Sequence, residues 1–206
     1  MTRLLWFPLE GVRAFAERVA YVPAERGLLD RAPRGDGHPV LVLPGFLAAD
    51  DSTGVLRRYL RALGYSAHPW LQGRNLGPSS RLAERLSGRV EELSDRHGRK
   101  LSLVGWSLGG VFARQLAKRM PERVRQVITL GSPFGASSAP PVPATAIYSK
   151  SDGITDWEDC RESEGHEREN IEVVGSHCGL GWNARALWAI ADRLALAEGD
   201  WKPFGV

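Results

Sequence analysis

Cysteine is nearly missing from this 206-residue chain, which has only Cys160 and Cys178. Two cysteines cannot build the disulfide framework of a small secreted module. Also missing is any uninterrupted apolar run of about 18 residues, the length a membrane-spanning helix needs. One-sided charge is scarce as well. Lys+Arg number 27 against 24 Asp+Glu, a net charge of +3, and Arg57, Arg58, Arg61, Arg81, Arg85 and Arg89 are scattered through helix-like segments. Solvated helix faces explain that pattern better than a nucleic-acid footprint does, so no nucleic-acid partner is expected. No cluster of Cys, His and carboxylates has zinc-site spacing, so no metal site of that kind is expected. The first 22 residues are broken by Pro8, Glu10, Arg13, Glu17 and Arg18 and fit neither a secretory apolar core nor a spanning segment, so a cytoplasmic address without an obligatory membrane is expected. With 43% hydrophobic and 25% charged residues, the chain has the profile of one globular domain over residues 1–206 with a substantial core.

What is present is an alternation of strand-like and helix-like segments. Val40-Leu41-Val42-Leu43 is a continuous apolar run ended by Pro44-Gly45, as in a strand buried on both faces. Val55, Leu56, Leu60 and Leu63 recur at helical spacing before Gly64. Tyr65 to Trp70 reads as a short strand. Ser79 or Ser80 can cap a helix to about His97, closed by Gly98. Leu101 to Val104, Val124 to Leu130, Thr145 to Tyr148 and Ile171 to Val174 read as further strands, and Asn183 to Ala197 as a closing helix. Strands alternating with helices imply right-handed crossovers and an α/β fold with a mostly parallel sheet of about six strands, helices on both faces. Near the N-terminus, Leu9, Val12, Phe15, Ala16 and Val19 fall at helical spacing and predict an amphipathic helix packed on the body through that stripe. Pro23 to His38 reads as a surface segment, and the stretch from Ala136 to Pro143 as a loop.

The most informative motif is Gly105-Trp106-Ser107-Leu108-Gly109-Gly110. It lies between an apolar strand and a helix-like stretch, the context of a nucleophile elbow, in which a sharp turn lifts the serine hydroxyl above the sheet edge. Serine is a weak nucleophile without a base, usually a histidine oriented by a carboxylate. Of five histidines, His38, His68, His97 and His166 lie elsewhere, whereas His177, in Gly175-Ser176-His177-Cys178-Gly179, stands in a loop just past a strand, on the carboxyl edge where the serine would project. The acid should leave a strand end between the two. Asp152 does so, in Ser151-Asp152-Gly153, with Asp156 the runner-up. An oxyanion hole needs the N–H of the residue after the nucleophile, Leu108, and one from the loop after an early strand, Phe46. Trp106, Trp157 and Trp182 lie near these residues in sequence, and Trp106 and Trp182 are candidates for a substrate pocket.

Taken together, Leu43-Pro44-Gly45-Phe46, the elbow, Gly131-Ser132-Pro133, Ser151-Asp152-Gly153 and Gly175-Ser176-His177 resemble, in order, the motifs of the α/β-hydrolase superfamily and within it compact bacterial lipases and esterases. The resemblance spans roughly residues 38 to 195. It implies a triad of Ser107, Asp152 and His177, with the Phe46 and Leu108 amides as oxyanion donors. It also implies hydrolysis of carboxylic esters of small to medium acyl chains, from small-molecule or lipid substrates, through an acyl-enzyme and without metal or organic cofactor. Acyl transfer, thioester cleavage or perhydrolysis by the same residues, or a non-catalytic binding protein on this scaffold, are the alternative readings. Many relatives begin with an additional strand pair and insert a helical lid. Here residues 1–38 offer a helix and a loop, and only about ten residues separate Phe134 from the strand at Thr145, too few for a lid. Cys160 follows the proposed acid and Cys178 adjoins the proposed base, so a disulfide could join the two loops, with reduced thiols the expected state.

Overall fold

Strand β1 (Pro39–Leu43) is buried at all five positions, as an apolar β-branched run between two helical layers must be. The computed structural model describes residues 6–205. Around β1 the chain builds β2 (Ser66–Pro69), β3 (Leu101–Trp106), β4 (Val124–Leu130), β5 (Ala144–Tyr148) and β6 (Arg168–Glu172) into one sheet of order β2-β1-β3-β4-β5-β6. Every neighbouring pair is parallel. The order reverses between β1 and β3, so the crevice beyond their carboxyl ends is a topological switch point, where ligands bind in open α/β sheets.

Alternation along the strands feeds two apolar layers. Val40, Val42 and Val104 join Leu56, Tyr59, Leu187, Ile190 and Leu194 on one face, which brings in α1 (Glu10–Arg31), α2 (Gly54–Ala62) and α5 (Ala184–Ala195). Leu41, Leu43 and Leu103 join Leu86, Val90, Leu93, Phe112 and Leu116 on the other, against α3 (Ser80–His97) and α4 (Leu108–Arg119). The caps follow the sequence: the Ser79 side chain accepts from the Leu82 N–H at 3.1 Å, and Asn183 accepts from the Arg185 and Ala186 amides. Gly98 takes the left-handed conformation after α3, with φ +62°. Residues 131–143, between β4 and β5, contain no helix, so no lid stands there.

Three expectations need correction. The N-terminal helix exists, but its apolar stripe faces outward: Val12, Phe15 and Val19 are 69%, 71% and 56% exposed, while Glu10, Ala14 and Tyr21 are buried. Hydrogen-bond demand decides the orientation, because two loops of the body present unpaired N–H groups that carboxylates satisfy and apolar side chains would not. The helix also continues through the expected surface segment as far as Arg31, with Pro23 inside it. Pro23 is itself exposed, so its ring meets solvent there. Finally, β6 starts at Arg168, three residues earlier than the apolar run suggests, and Val174 lies outside it, 83% exposed. As an edge strand, β6 pairs only with β5. Arg168, Glu169 and Asn170 therefore join by backbone register with Ala144, Thr145 and Ala146 and need no apolar signature.

Candidate active site

At the end of β3 the backbone turns directly into α4, and Ser107 takes φ 53° and ψ −125°. A non-glycine residue held there is strained by about 1–3 kcal/mol, which the surrounding packing must hold in place. The glycines make the turn possible. A Cβ on Gly105 would collide with the Gly109 and Gly110 backbone, and one on Gly109 with the backbone of Leu43 and Pro44. Leu108 is the first residue of α4, so its N–H has no acceptor within that helix. The loop after β1 lies alongside: a Cβ on Gly45 would approach the Ser107 Cβ to 3.1 Å, which sets Gly45-Phe46 against the serine.

Asp152 leaves β5 and His177 follows β6, and the two meet in a hydrogen bond of 2.6 Å between His177 Nδ1 and Asp152 Oδ2. Both are buried, 3% and 5% exposed. Oδ1 accepts from the Ile154 and Thr155 amides at 2.7 and 2.8 Å, and Oδ2 from the Thr155 hydroxyl at 2.9 Å. Burial by itself would raise the Asp152 carboxyl, but the hydrogen bond and charge of His177 and the two amides outweigh it and hold the group below the ordinary carboxylate range. With Asp152 as an ionised acceptor, Nδ1 is the donor in this bond, and in a neutral imidazole that leaves the lone pair on Nε2. Asp156, the runner-up acid, instead precedes the 3₁₀ turn Trp157–Cys160.

Ser107 and His177 line one cavity of about 420 Å³ together with Gly45, Phe46, Ala48, Ser52, Trp106, Ile154, Cys178 and Trp182. Apart from Ser52, Ser107, His177 and Cys178 its side-chain wall is apolar, as is common in small-molecule clefts. Trp106 and Trp182 meet edge to face, 5.8 Å between ring centroids, and also act as struts. Trp106 Nε1 donates to the His177 carbonyl at 3.1 Å, and Trp182 Nε1 to the Ala14 carbonyl at 3.1 Å. Trp157 lies outside the cavity lining and stacks on Tyr148. Cys160 and Cys178 are separate free thiols, and burial pushes them up to about 12 and about 11.

Several residues around the site have contacts that no motif assigns to them. Gly131, with φ +51°, sits beneath the acid and base: a Cβ there would stand 3.1 Å from both Asp152 Oδ2 and His177 Nδ1 and 2.8 Å from Leu180 Cδ1. Thr155 holds the carboxylate from below. The spacing Asp152-Gly-Ile-Thr155 is an Asx-type turn pattern, a sequence signal that points to it. From α1, Arg13 donates to the Ser151 carbonyl and hydroxyl at 2.6 and 2.9 Å, while Glu10 and Glu17 reach the loops around residues 153 and 176–178. Among the other histidines, His68 and His97 approach each other at 3.1 Å and His166 is exposed. His38 is buried at the opposite edge of the sheet, between Asp36 at 2.5 Å and Ser102 at 2.8 Å.

Solved structures share this architecture. The chain is similar to a monoacylglycerol lipase of Paleococcus ferrophilus, with a TM-score of 0.64 and 14% identity, covering 80% of this chain and 96% of that one. It is similar to lipase B of Aspergillus fumigatus, with a TM-score of 0.67 and 16% identity, covering 82% of this chain and 55% of that one. It is also similar to the dienelactone hydrolase of Anabaena variabilis, with a TM-score of 0.60 and 21% identity, covering 80% and 86%. No protein-family model matches the sequence. A stretch of 104 residues is 32% identical to the pre-histone-like nucleoprotein of canine adenovirus serotype 2, covering 46% of this chain and 78% of that protein. That likeness spans under half of the chain. Moreover, 27 basic residues against 24 acidic ones leave little of the positive excess by which a protein binds nucleic acid.

Proposed function

This chain has the α/β-hydrolase fold, and on that premise we propose that it is a serine hydrolase that cleaves carboxylic esters of small to medium acyl chains. The observation that carries the reading is the buried Asp152–His177 pair at 2.6 Å opening on the same cavity as a serine held at φ 53°. In this reading Ser107 Oγ attacks the ester carbonyl carbon and its proton passes to His177 Nε2. Asp152 fixes the imidazole tautomer and stabilises the imidazolium. The Phe46 and Leu108 N–H groups take the oxyanion. Collapse breaks the ester C–O bond, the alcohol leaves with the proton from His177, and an acyl-Ser107 ester remains. Water, deprotonated by His177, then attacks that ester, releasing the acid and restoring the Ser107 hydroxyl.

The apolar wall formed by Phe46, Ala48, Trp106, Ile154 and Trp182 supports an acyl chain as the buried part of the substrate and a small-molecule or lipid ester as the class. Acyl transfer, thioester cleavage and perhydrolysis would pass through the same acyl-enzyme and differ in the group that enters or resolves it. Partition of the acyl group between water and an added alcohol or amine separates transfer from hydrolysis.

The test is labelling with a fluorophosphonate, followed by mass spectrometry, and turnover of p-nitrophenyl esters of increasing chain length by wild type and Ser107→Ala. A single adduct on Ser107 and turnover that disappears with the serine are expected. No adduct, an adduct elsewhere, or turnover unchanged in Ser107→Ala would sink the proposal and leave a binding protein on a hydrolase scaffold.

A further inference from the structure

The N-terminal helix reaches into the site from outside the sheet. Glu10, the first residue of α1, is 5% exposed. Its Oε1 accepts from the Gly153 amide at 2.8 Å and the His177 amide at 3.2 Å, and Oε2 from the Cys178 amide at 3.1 Å. Gly153 directly follows Asp152, and His177 is the histidine itself. One carboxylate thus joins the main chain of the acid loop to the main chain of the base loop. Arg13, 3.6 Å from Oε1, holds Ser151 on the other side of Asp152. Glu17 accepts from the Ser176 amide at 2.7 Å and the Ser176 hydroxyl at 2.9 Å. Positions 10, 13 and 17 share one helix face, and together they bind the residues flanking both Asp152 and His177.

Burying a carboxylate is costly unless it is paired and hydrogen-bonded. Here three N–H donors and a guanidinium offset the cost, and an apolar residue at position 10 would leave those three donors without an acceptor. Neither loop is held at this point by a neighbouring strand: Asp152 stands beyond the end of β5 and His177 beyond the end of β6. A pair that must keep a 2.6 Å bond while the imidazole gains and loses a proton needs both backbones fixed. We propose that Glu10 is a positioning residue which locks the Asp152 and His177 loops to each other and so sets the geometry of the acid–base pair. The proposal rests on the serine-hydrolase reading for its catalytic consequence, though not for its structural one.

The experiment compares wild type, Glu10→Gln and Glu10→Asp in the full chain. Glu10→Gln keeps the volume but turns an amide NH₂ toward backbone donors, and Glu10→Asp keeps the charge but withdraws it by one methylene. Three quantities are read: kcat and KM on a p-nitrophenyl ester, the low-field proton NMR resonance of the His177 Nδ1–H, and the thermal midpoint. In Glu10→Gln, kcat falls on the order of 10²-fold with little change in KM, and the resonance broadens or moves upfield while the protein stays folded. Glu10→Asp lies between this and wild type. Wild-type kcat and an unmoved resonance in both variants would overturn the proposal, whatever the thermal midpoint does. Should Glu10→Gln fail to fold, Glu10→Asp decides by the same two readouts. If wild type takes no fluorophosphonate at Ser107 and yet the resonance changes in the variants, the hydrolase reading fails and the hold of Glu10 on the pair stands.

Discussion

Strand β3 is bracketed by two serines, each belonging to a Ser–His–Asp set. Beyond its carboxyl end is Ser107, with His177 and Asp152. Near its start is Ser102, whose hydroxyl donates to His38 Nε2 at 2.8 Å while His38 Nδ1 donates to Asp36 at 2.5 Å. Judged by hydrogen bonds alone the second set is the more complete, since both imidazole nitrogens are engaged. Yet Ser102 and His38 are 0% exposed, and Ser102 lies inside a strand, where its amide serves the sheet and no helix begins. Arg125 donates to Asp36 at 2.9 Å and stands 3.3 Å from His38 Nδ1, so a cation beside the ring already opposes an imidazolium there. A linked Ser–His–Asp is therefore not by itself a catalytic site. Access, a strained turn that presents the hydroxyl, and free N–H donors beside it separate the two ends of one strand.

The largest effect expected from this contrast is on turnover. Ser107→Ala lowers ester hydrolysis by about 10⁴-fold or more, whereas Ser102→Ala leaves kcat within about twofold. Comparable losses in the two variants would erase the distinction. Next comes the floor beneath the catalytic pair. Gly131→Ala pushes a methyl group against Asp152 and His177 and is expected to cost on the order of 10²-fold in kcat, measured on protein whose circular dichroism matches wild type.

The pH dependence of stability draws on the other set and on His68, which burial, His97 and neighbouring arginines also bring down to about 4. Burial is the main cause that brings His38 down from 6.5 to about 4, against the opposing pull of Asp36 and helped by Arg125. Between those values the unfolded chain takes up a proton that the native chain refuses, so stability is lost as pH falls from 6.5 toward 4. The loss is on the order of 3 kcal/mol. His38→Gln should reduce the slope of denaturant-derived stability against pH across this window, leaving the share that His68 contributes, and an unchanged slope would assign the acid sensitivity to His68 alone. Smallest is Ser102→Ala itself, which removes the donor to a buried imidazole nitrogen and should cost about 1–3 kcal/mol in a urea melt at neutral pH.

The strained turn at Ser107 and the meeting of Asp152 with His177 are legible in the sequence because each is a local pattern: glycines crowding a serine between strand and helix, and an aspartate and a histidine just past strand ends in a fixed chain order. The six-stranded sheet is legible for the same reason, as apolar runs such as Val40 to Leu43 need no partner to be recognised. What sequence reading misses depends on contacts distant in the chain. Val12, Phe15 and Val19 suggest an inward apolar stripe, but the inward face is Glu10, Arg13 and Glu17, because the acceptors are required by donors 143 to 168 positions away. The polar face at positions 10, 13 and 17 was visible, and nothing local separates it from an ordinary solvated face. Gly131 is part of a recognisable Gly-Ser-Pro motif, but its role appears only once Asp152 and His177 stand above it. Asp36, His38 and Ser102 have no informative spacing at all, since parallel pairing of β1 with β3 is what brings them together.

The bond from the Glu10 carboxylate to the Cys178 amide spans 168 positions of the chain. During synthesis the first helix leaves the ribosome long before the loop it holds has been made, at about 5–20 residues per second. Until then the Glu10 carboxylate has its helix neighbour Arg13 and water as partners, and none of the loop amides. The serine turn and the central strands can form from the middle of the chain outward, but the acid–base pair is joined to its support almost last. A nascent chain stalled between residues 107 and 177 therefore carries Ser107 without His177, so under the proposed mechanism unfinished copies of the protein would hold a serine with no base to activate it.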